Sequence, residues 1–180
     1  MRVLGLDPGS RRTGFGVVER SGNQFRCVAH GTIAPRARLE LPQRLHDIAS
    51  HVEQVIERTC PEYVVVEKAF YHESVHSTLV LGHVRGALLV AAVAHGLPIA
   101  EYSPREIKMS VVGNGGATKE QVSFMIRRLL DLRGALQVDA ADALAAALCH
   151  LHRARLTAPA RAASAAAERL AAMLARSPRR

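Results

Sequence analysis

"RVLGLDPGSRRTGFGVVER", residues 2–20, reads as two strands and the turn between them. Residues 2–7 are a short apolar run that stops at Asp7-Pro8-Gly9, a turn signal, and a second strand-like run occupies 13–20. A third run, QFRCVAHGTI at 24–33, follows Ser21-Gly22-Asn23. Three runs so closely joined predict an antiparallel meander. The chain then changes character. Leu41, Leu45, Ile48, Val52, Val55 and Ile56 fall at steps of three or four, which predicts a helix over 41–59. EYVVVE (62–67) is β-branched and too short for helical spacing, so it predicts a buried strand. A long helix over 74–95 and a strand at 97–102 follow. Ser103-Pro104 then opens a helix of about two turns, with serine at the N-cap and proline first in the helix. Thr118-Lys119-Glu120-Gln121 has the form of a capping box for a helix to about residue 132, and a last helix runs from 139 to about 155. Strands followed by alternating helix and strand define an α/β fold with helices on the faces of its sheet.

The net charge of +8 is not spread evenly. Residues 153–180 hold seven arginines and one acid, Glu168, and so carry +6, which leaves a nearly neutral body. The expectation is one domain over 1–155 and a basic, Ala/Arg-rich, flexible tail over 156–180. Such an arm suits an anionic partner, although a solvated tail has the same composition. Cys27, Cys60 and Cys149 are scattered without CxxC spacing and read as reduced, small core residues. His72 and His76 lie four apart, but no HExxH or Cys/His set accompanies them, so no zinc site is expected. Residues 79–94 are the most apolar stretch, yet they carry Gly82, His83, Arg85 and Gly86 and are not expected to span a membrane. The amino terminus runs straight into a strand pattern with no signal peptide, and the cytoplasm is the expected location.

Four acids stand out by position. Asp7 and Glu67 each end a strand-like run. If those strands are parallel neighbours, both carboxylates emerge at the same carboxyl end, where open α/β sheets bind ligands. VDAADALAAALCHLH (138–152) adds Asp139 and Asp142, three apart and so on one helix face. Asp139 as N-cap with Asp142 three residues on would serve the helix end alone. A strand-terminal aspartate before Pro-Gly is often a turn residue, and a strand-terminal glutamate is often a solvated one. Gathered together, the four would repel unless a cation sat among them. Mg²⁺ and Mn²⁺ prefer oxygen ligands and keep several waters, so a sparse carboxylate cluster suits them. Two such ions can clamp the attacking and leaving oxygens of a phosphodiester.

LGLDPGSRRTGFGVVE, VVVEKAF, IKMSVVGNGGATKEQV and DAADALAAALCH together resemble, in order and interval, the motifs of the RuvC Holliday-junction resolvases, a family of the ribonuclease H-like nucleases. The similarity spans residues 2–152 and leaves the tail unmatched. It implies a ribonuclease H-like mixed five-stranded sheet, three strands antiparallel and the others parallel, with helices on both faces. It implies that Asp7, Glu67, Asp139 and Asp142 bind two Mg²⁺ or Mn²⁺ ions and cut DNA. The implied activity is paired, symmetric hydrolysis at four-way junctions in recombination and repair, leaving 5′-phosphate and 3′-hydroxyl ends. It further implies a homodimer working beside a branch-migration motor. The helix at 74–95 is apolar on more than one face, enough to cover both the sheet and a second subunit.

The resemblance implies DNA contacts at Lys108 and Lys119, two of only three lysines, which flank the glycine loop around Asn114, although Lys119 in the first turn of a helix could equally be a solvated charge. Phe70 resembles the family's aromatic near the crossover, where it would stack on a base, and core packing is the alternative. Tyr71 and His72 would extend that surface. Arg11, Arg12 and Arg85 are candidate phosphate contacts or ordinary surface charges. Three rivals remain. An actin-like ATPase shares a phosphate hairpin like LGLDPGSRRTG, but that fold needs two such domains. A DNA-binding module without activity would not need all four acids. Another ribonuclease H-like nuclease would differ in the loop at 113–117.

Overall fold

In a computed structural model that describes residues 1–36, 38–68 and 74–154, the elements run β1 (Arg2–Asp7), β2 (Thr13–Ser21), β3 (Gln24–Ile33), α1 (Leu41–Thr59), β4 (Tyr63–Glu67), α2 (Val75–Ala94), β5 (Ile99–Tyr102), α3 (Pro104–Val112), α4 (Lys119–Leu129) and a last helix, α5, over 138–154. The strands form one sheet in the order β3-β2-β1-β4-β5. The meander is antiparallel, and β4 and β5 add to β1 in parallel. Each expected element is present, with ends displaced by at most three residues. The expected tail and Phe70, Tyr71 and His72 lie outside the described residues.

Both faces of the sheet are covered. Leu4, Leu6, Val17, Val64 and Val66 pack with Ile48, Val52, Val84 and Leu88 of α1 and α2 on one side. Val3, Val18 and Val65 meet α3, α4 and α5 on the other, through Ile107, Val122, Ile126, Leu144 and Leu148. The side-chain period of two in each strand divides these sets.

Local chemistry sets the helix ends. Ser103 and Glu106 close a reciprocal capping box at α3, with Pro104 in its first turn, and Thr118 with Gln121 does the same for α4. α3 stops at Gly113 in the left-handed region (φ 78°), which glycine enters without a Cβ clash. α4 ends before residue 132 because Asp131 also turns left-handed (φ 47°).

Two expectations are corrected, and the reason given for a third is revised. The final helix begins at 138, and the Ala141 amide donates to the Gln137 carbonyl. Gln137 therefore holds the cap position, and Asp139 lies inside the first turn instead of capping it. Only Cys149 is a core cysteine, since Cys27 is half-buried and Cys60 exposed, although all three are free thiols. Finally, α2 has the length and composition of a membrane span, with mean hydropathy 1.6 over its most apolar window. Its polar residues are too few to offset aliphatic side chains on both of its sides. One side packs in the core through Val84, Leu88, Ala91 and Ala92, whereas Val75, Leu79, Val90 and Val93 are each at least 60% exposed.

Candidate active site

Strand parity decides where the first two acids point. Asp7 falls in step with Val3, and Glu67 with Val65, so both lie on the α3–α5 side. β1 and β4 run parallel with Leu6 opposite Val66, so Asp7 and Glu67 leave neighbouring strands at one end of the sheet.

Glycines bring the other two acids to that end. Gly5, Gly14 and Gly16 lie beneath α5. A Cβ added at Gly5 would stand 1.9 Å from the Ala143 carbonyl oxygen, and one at Gly14 would stand 2.0 Å from that of Asp139. Gly14 is also the cross-strand partner of Asp7. The head of α5 therefore lies directly over the Asp7–Gly14 pair. Small residues on the helix, Ala140, Ala143, Ala146 and Ala147, are wholly or almost wholly buried in this contact. Thr32 donates to the Gln137 side chain at 2.7 Å, and Arg20 donates to the Leu151 carbonyl at 3.1 Å, so α5 is tied down near both ends.

The electrostatics register the gathering. Asp7 is pushed up to about 7, first by burial and then by the charges of Asp142, Glu67 and Asp139, with Lys119 opposing. Burial also raises Glu67, with Asp142 adding and Lys119 and Lys108 opposing. The Lys119 ammonium donates to Asp142 Oδ2 at 3.2 Å and is held charged by that carboxylate. Glu67, Lys108, Lys119 and Asp142 share the wall of one cavity of about 160 Å³.

A divalent cation fits this donor set. All four groups offer oxygen, and the burial and mutual repulsion that raise Asp7 are what a cation would relieve. Among the described residues no three acid, histidine or cysteine side chains yet converge on one point. Glu67 and Asp142 line the cavity together with Lys119, whose ammonium pairs with Asp142.

The other expected residues divide. Ser10, Arg11 and Arg12 follow Asp7 in the loop that Thr13 closes by donating to the Gly9 carbonyl at 2.9 Å. The Asn114 side chain accepts from the Gly116 amide at 2.9 Å, so it shapes the loop from within. Arg85 pairs with Glu101 and clamps α2 to β5. Several residues have no counterpart in the sequence reading. Phe124, 63% exposed, stands with Arg127 and Arg128 along a groove of about 740 Å³ that begins at Lys119 and Asp142. No spacing rule singles them out, because they occupy the polar face of an ordinary amphipathic helix.

A mixed sheet of this order, helices on both faces and acids gathered at the carboxyl end of its central strands, defines a ribonuclease H-like protein. A profile described as crossover junction endodeoxyribonuclease RuvC matches residues 3–150. Proteins of that name from Aromatoleum aromaticum and an Azoarcus species are 50% and 51% identical to the chain, each over 84% of it and 81% and 82% of their own length. The structure of Thermus thermophilus RuvC in complex with a Holliday junction substrate superposes with a TM-score of 0.82 at 35% identity, covering 87% of this chain and 96% of that one. The yeast mitochondrial Holliday junction resolvase Ydc2 shares the fold at a TM-score of 0.62 and 15% identity, over 83% and 77% of the two chains. The chain belongs to the RuvC family of crossover junction endodeoxyribonucleases.

Proposed function

We propose that this protein is a structure-selective endonuclease that resolves four-way DNA junctions in recombination and repair. It acts through Asp7, Glu67, Asp139 and Asp142. The observation that carries the reading is the meeting of these four acids at one sheet end, with Asp7 pushed up to about 7. The carboxylates would hold Mg²⁺ or Mn²⁺, two ions per site. Bound there, such ions supply activation of a water nucleophile and charge neutralisation at the departing 3′ oxygen, leaving 5′-phosphate and 3′-hydroxyl ends. The chain's own part is positional. Lys119 and Lys108 sit on the cavity wall beside Glu67 and Asp142, where their ammonium groups would hold the backbone phosphates that flank the reacting one. Arg11 and Arg12 would extend that contact from the β1–β2 loop. Arg85 is engaged by Glu101 and is left out of the set. Residues 1–155 form the nuclease unit in this reading, residues 156–180 a basic arm, and the cytoplasm is where the DNA would be met.

A dimer follows from the same reading. Val75, Leu79, Val90 and Val93 fall at helical steps that place them in one exposed stripe of α2, opposite Val84 and Leu88. A Cβ at Gly82 or Gly86 would meet nothing within 4 Å, so none of the described residues covers the stripe at those positions. A second copy packed there by two-fold symmetry would bring two equivalent sites to opposed strands of a nearly two-fold junction.

Incubation with a four-way junction, a duplex and an RNA–DNA hybrid, each with Mg²⁺ or Mn²⁺, tests the function. Paired nicks in the junction alone, with ligatable ends, are the expected result. Preference for the hybrid would make the protein another ribonuclease H-like nuclease, and nucleotide hydrolysis without DNA cleavage would favour the actin-like reading.

A further inference from the structure

A strongly basic recess lies outside the acidic site. Ser10, Arg11, Pro35, Arg36 and Arg44 line a cavity of about 450 Å³, with three guanidinium groups and, among the described residues, no carboxylate on its wall. Four other arginines of the body are paired with acids: Arg2 and Arg26 with Glu19, Arg85 with Glu101 and Arg153 with Glu106. Among the described residues Arg11, Arg36 and Arg44 have no acidic partner, and Arg44 Nε is buried without any hydrogen bond. A buried N–H of a permanent cation left unsatisfied is costly, and an oxyanion is the group that satisfies it. Arg44 sits near the start of α1, whose N-cap Glu40 makes no side-chain capping bond.

Topology places the recess beside the acids. β1 ends at Asp7 and β3 at Ile33, and Thr13, opening β2, pairs with Ile33. The loops after β1 and β3 and the start of α1 therefore meet at one end of the sheet. Arg11 follows Asp7 by four residues, so their backbones lie at most about 14 Å apart. One DNA strand advances about 3.4 Å per nucleotide. The acids reach that end from the α5 side, and Arg44 reaches it from the α1 side.

We propose that Arg11, Arg36 and Arg44 form a phosphate-binding site that grips the DNA backbone a few nucleotides from the bond that is cut. This rests on the nuclease reading above and adds to it a specific second point of grip. Guanidinium groups that converge without acids take a tetrahedral oxyanion by several N–H donors at once. Fixing one phosphate there while Lys108 and Lys119 hold the other side orients the strand across the carboxylates between them.

The test uses the full chain, with junction and plain duplex bound in EDTA over a range of salt. R36Q/R44Q should lower affinity about tenfold and reduce the slope of log K against log salt by about one, the signature of one lost phosphate. R36K/R44K should recover part of the affinity. Inorganic phosphate should raise the melting temperature of the wild type and not of the glutamine variant. Should R44Q fold poorly by circular dichroism, R11Q/R36Q carries the same test on exposed residues. An unchanged slope on both DNAs overturns the site, and a phosphate effect on melting without a change of slope means an adventitious ion only. A wild type that binds DNA but does not cut the junction overturns the nuclease reading instead, and the duplex slope still decides the pocket.

Discussion

The two faces of the sheet are built on opposite principles. Towards α1 and α2 the strands present Leu4, Leu6, Val17, Val64 and Val66, and the helices stand off at the distance that interleaved aliphatic side chains require. Towards α5 the same strands present Gly5, Gly14 and Gly16, and alanines on the helix let the backbones almost touch. The first face is held by the area it buries, and it tolerates small shifts. The second also buries aliphatic side chains, Val3, Val18 and Val65 among them, but where α5 crosses β1 and β2 its position is set by the absence of side chains. Its reward is positional, because the head of α5 lands on the strand pair that carries Asp7 and nowhere else. Stability and site geometry are thus assigned to different sides of one sheet.

Gly14→Val should break the comparison most severely. Its Cβ would enter the Asp139 carbonyl, so α5 must lift. Junction cleavage should fall by roughly a thousandfold or more, because displacements of about 1 Å already cost about a hundredfold. Melting temperature should fall as well. Asp7→Asn should abolish cutting to a similar extent while junction affinity stays near that of wild type. Retained cleavage would remove Asp7 from the reaction.

The same variant carries a pH signature. The folded protein keeps a proton on Asp7 up to about pH 7, whereas the unfolded chain loses it near 3.8. The Asp7 contribution to wild-type stability is therefore complete below about pH 4 and drains away as pH rises towards 7. In metal-free buffer the Asn variant should melt higher than wild type at pH 8, by on the order of 5 °C, and the gap should close on acidification. A gap that widens towards pH 4 would show that Asp7 is not held neutral by its neighbours.

Leu88→Ala, on the face held by burial, should cost about 2–5 kcal/mol in chemical denaturation and leave the turnover of the folded fraction unchanged. A collapse in turnover matching that of Gly14→Val would erase the distinction between the faces. Leu79→Glu, on the exposed stripe of α2, should leave stability almost unaltered and convert a sedimenting dimer to monomer. Wild type that sediments as a monomer while bound to a junction would remove the second copy. The smallest effect belongs to Lys119→Ala, which should weaken junction binding a few-fold and lower its salt slope by about one.

Much of this was legible before any coordinates. Six aliphatic residues at helical steps mark α1, the β-branched run marks β4, and Ser103 and Thr118 announce their helices by capping chemistry, all of which act within a few residues along the chain. The four acids were legible as candidates because they end runs or share a helix face, and it was the resemblance to the resolvase motifs that joined them into one proposed set. The membrane-like composition of α2 was misjudged, since a few polar residues count for less than the aliphatic side chains around them. Arg36 and Arg44 were not legible at all. One follows a strand and the other opens a helix, and nothing local distinguishes them from solvated surface arginines.

Local preferences along the chain were enough to settle which segments are helix or strand, because capping, periodicity and turn formation involve near neighbours, and the motifs offered four candidate acids. Which of those segments touch was settled only when the chain closed on itself. The contact of α5 with the glycines of β1 and β2 joins residues more than a hundred positions apart, and its strength lies in a side chain that is missing. Repulsion among Asp7, Glu67, Asp139 and Asp142, and the meeting of Arg11 with Arg44, arise from that closure, since charges act through distance in space and not along the chain.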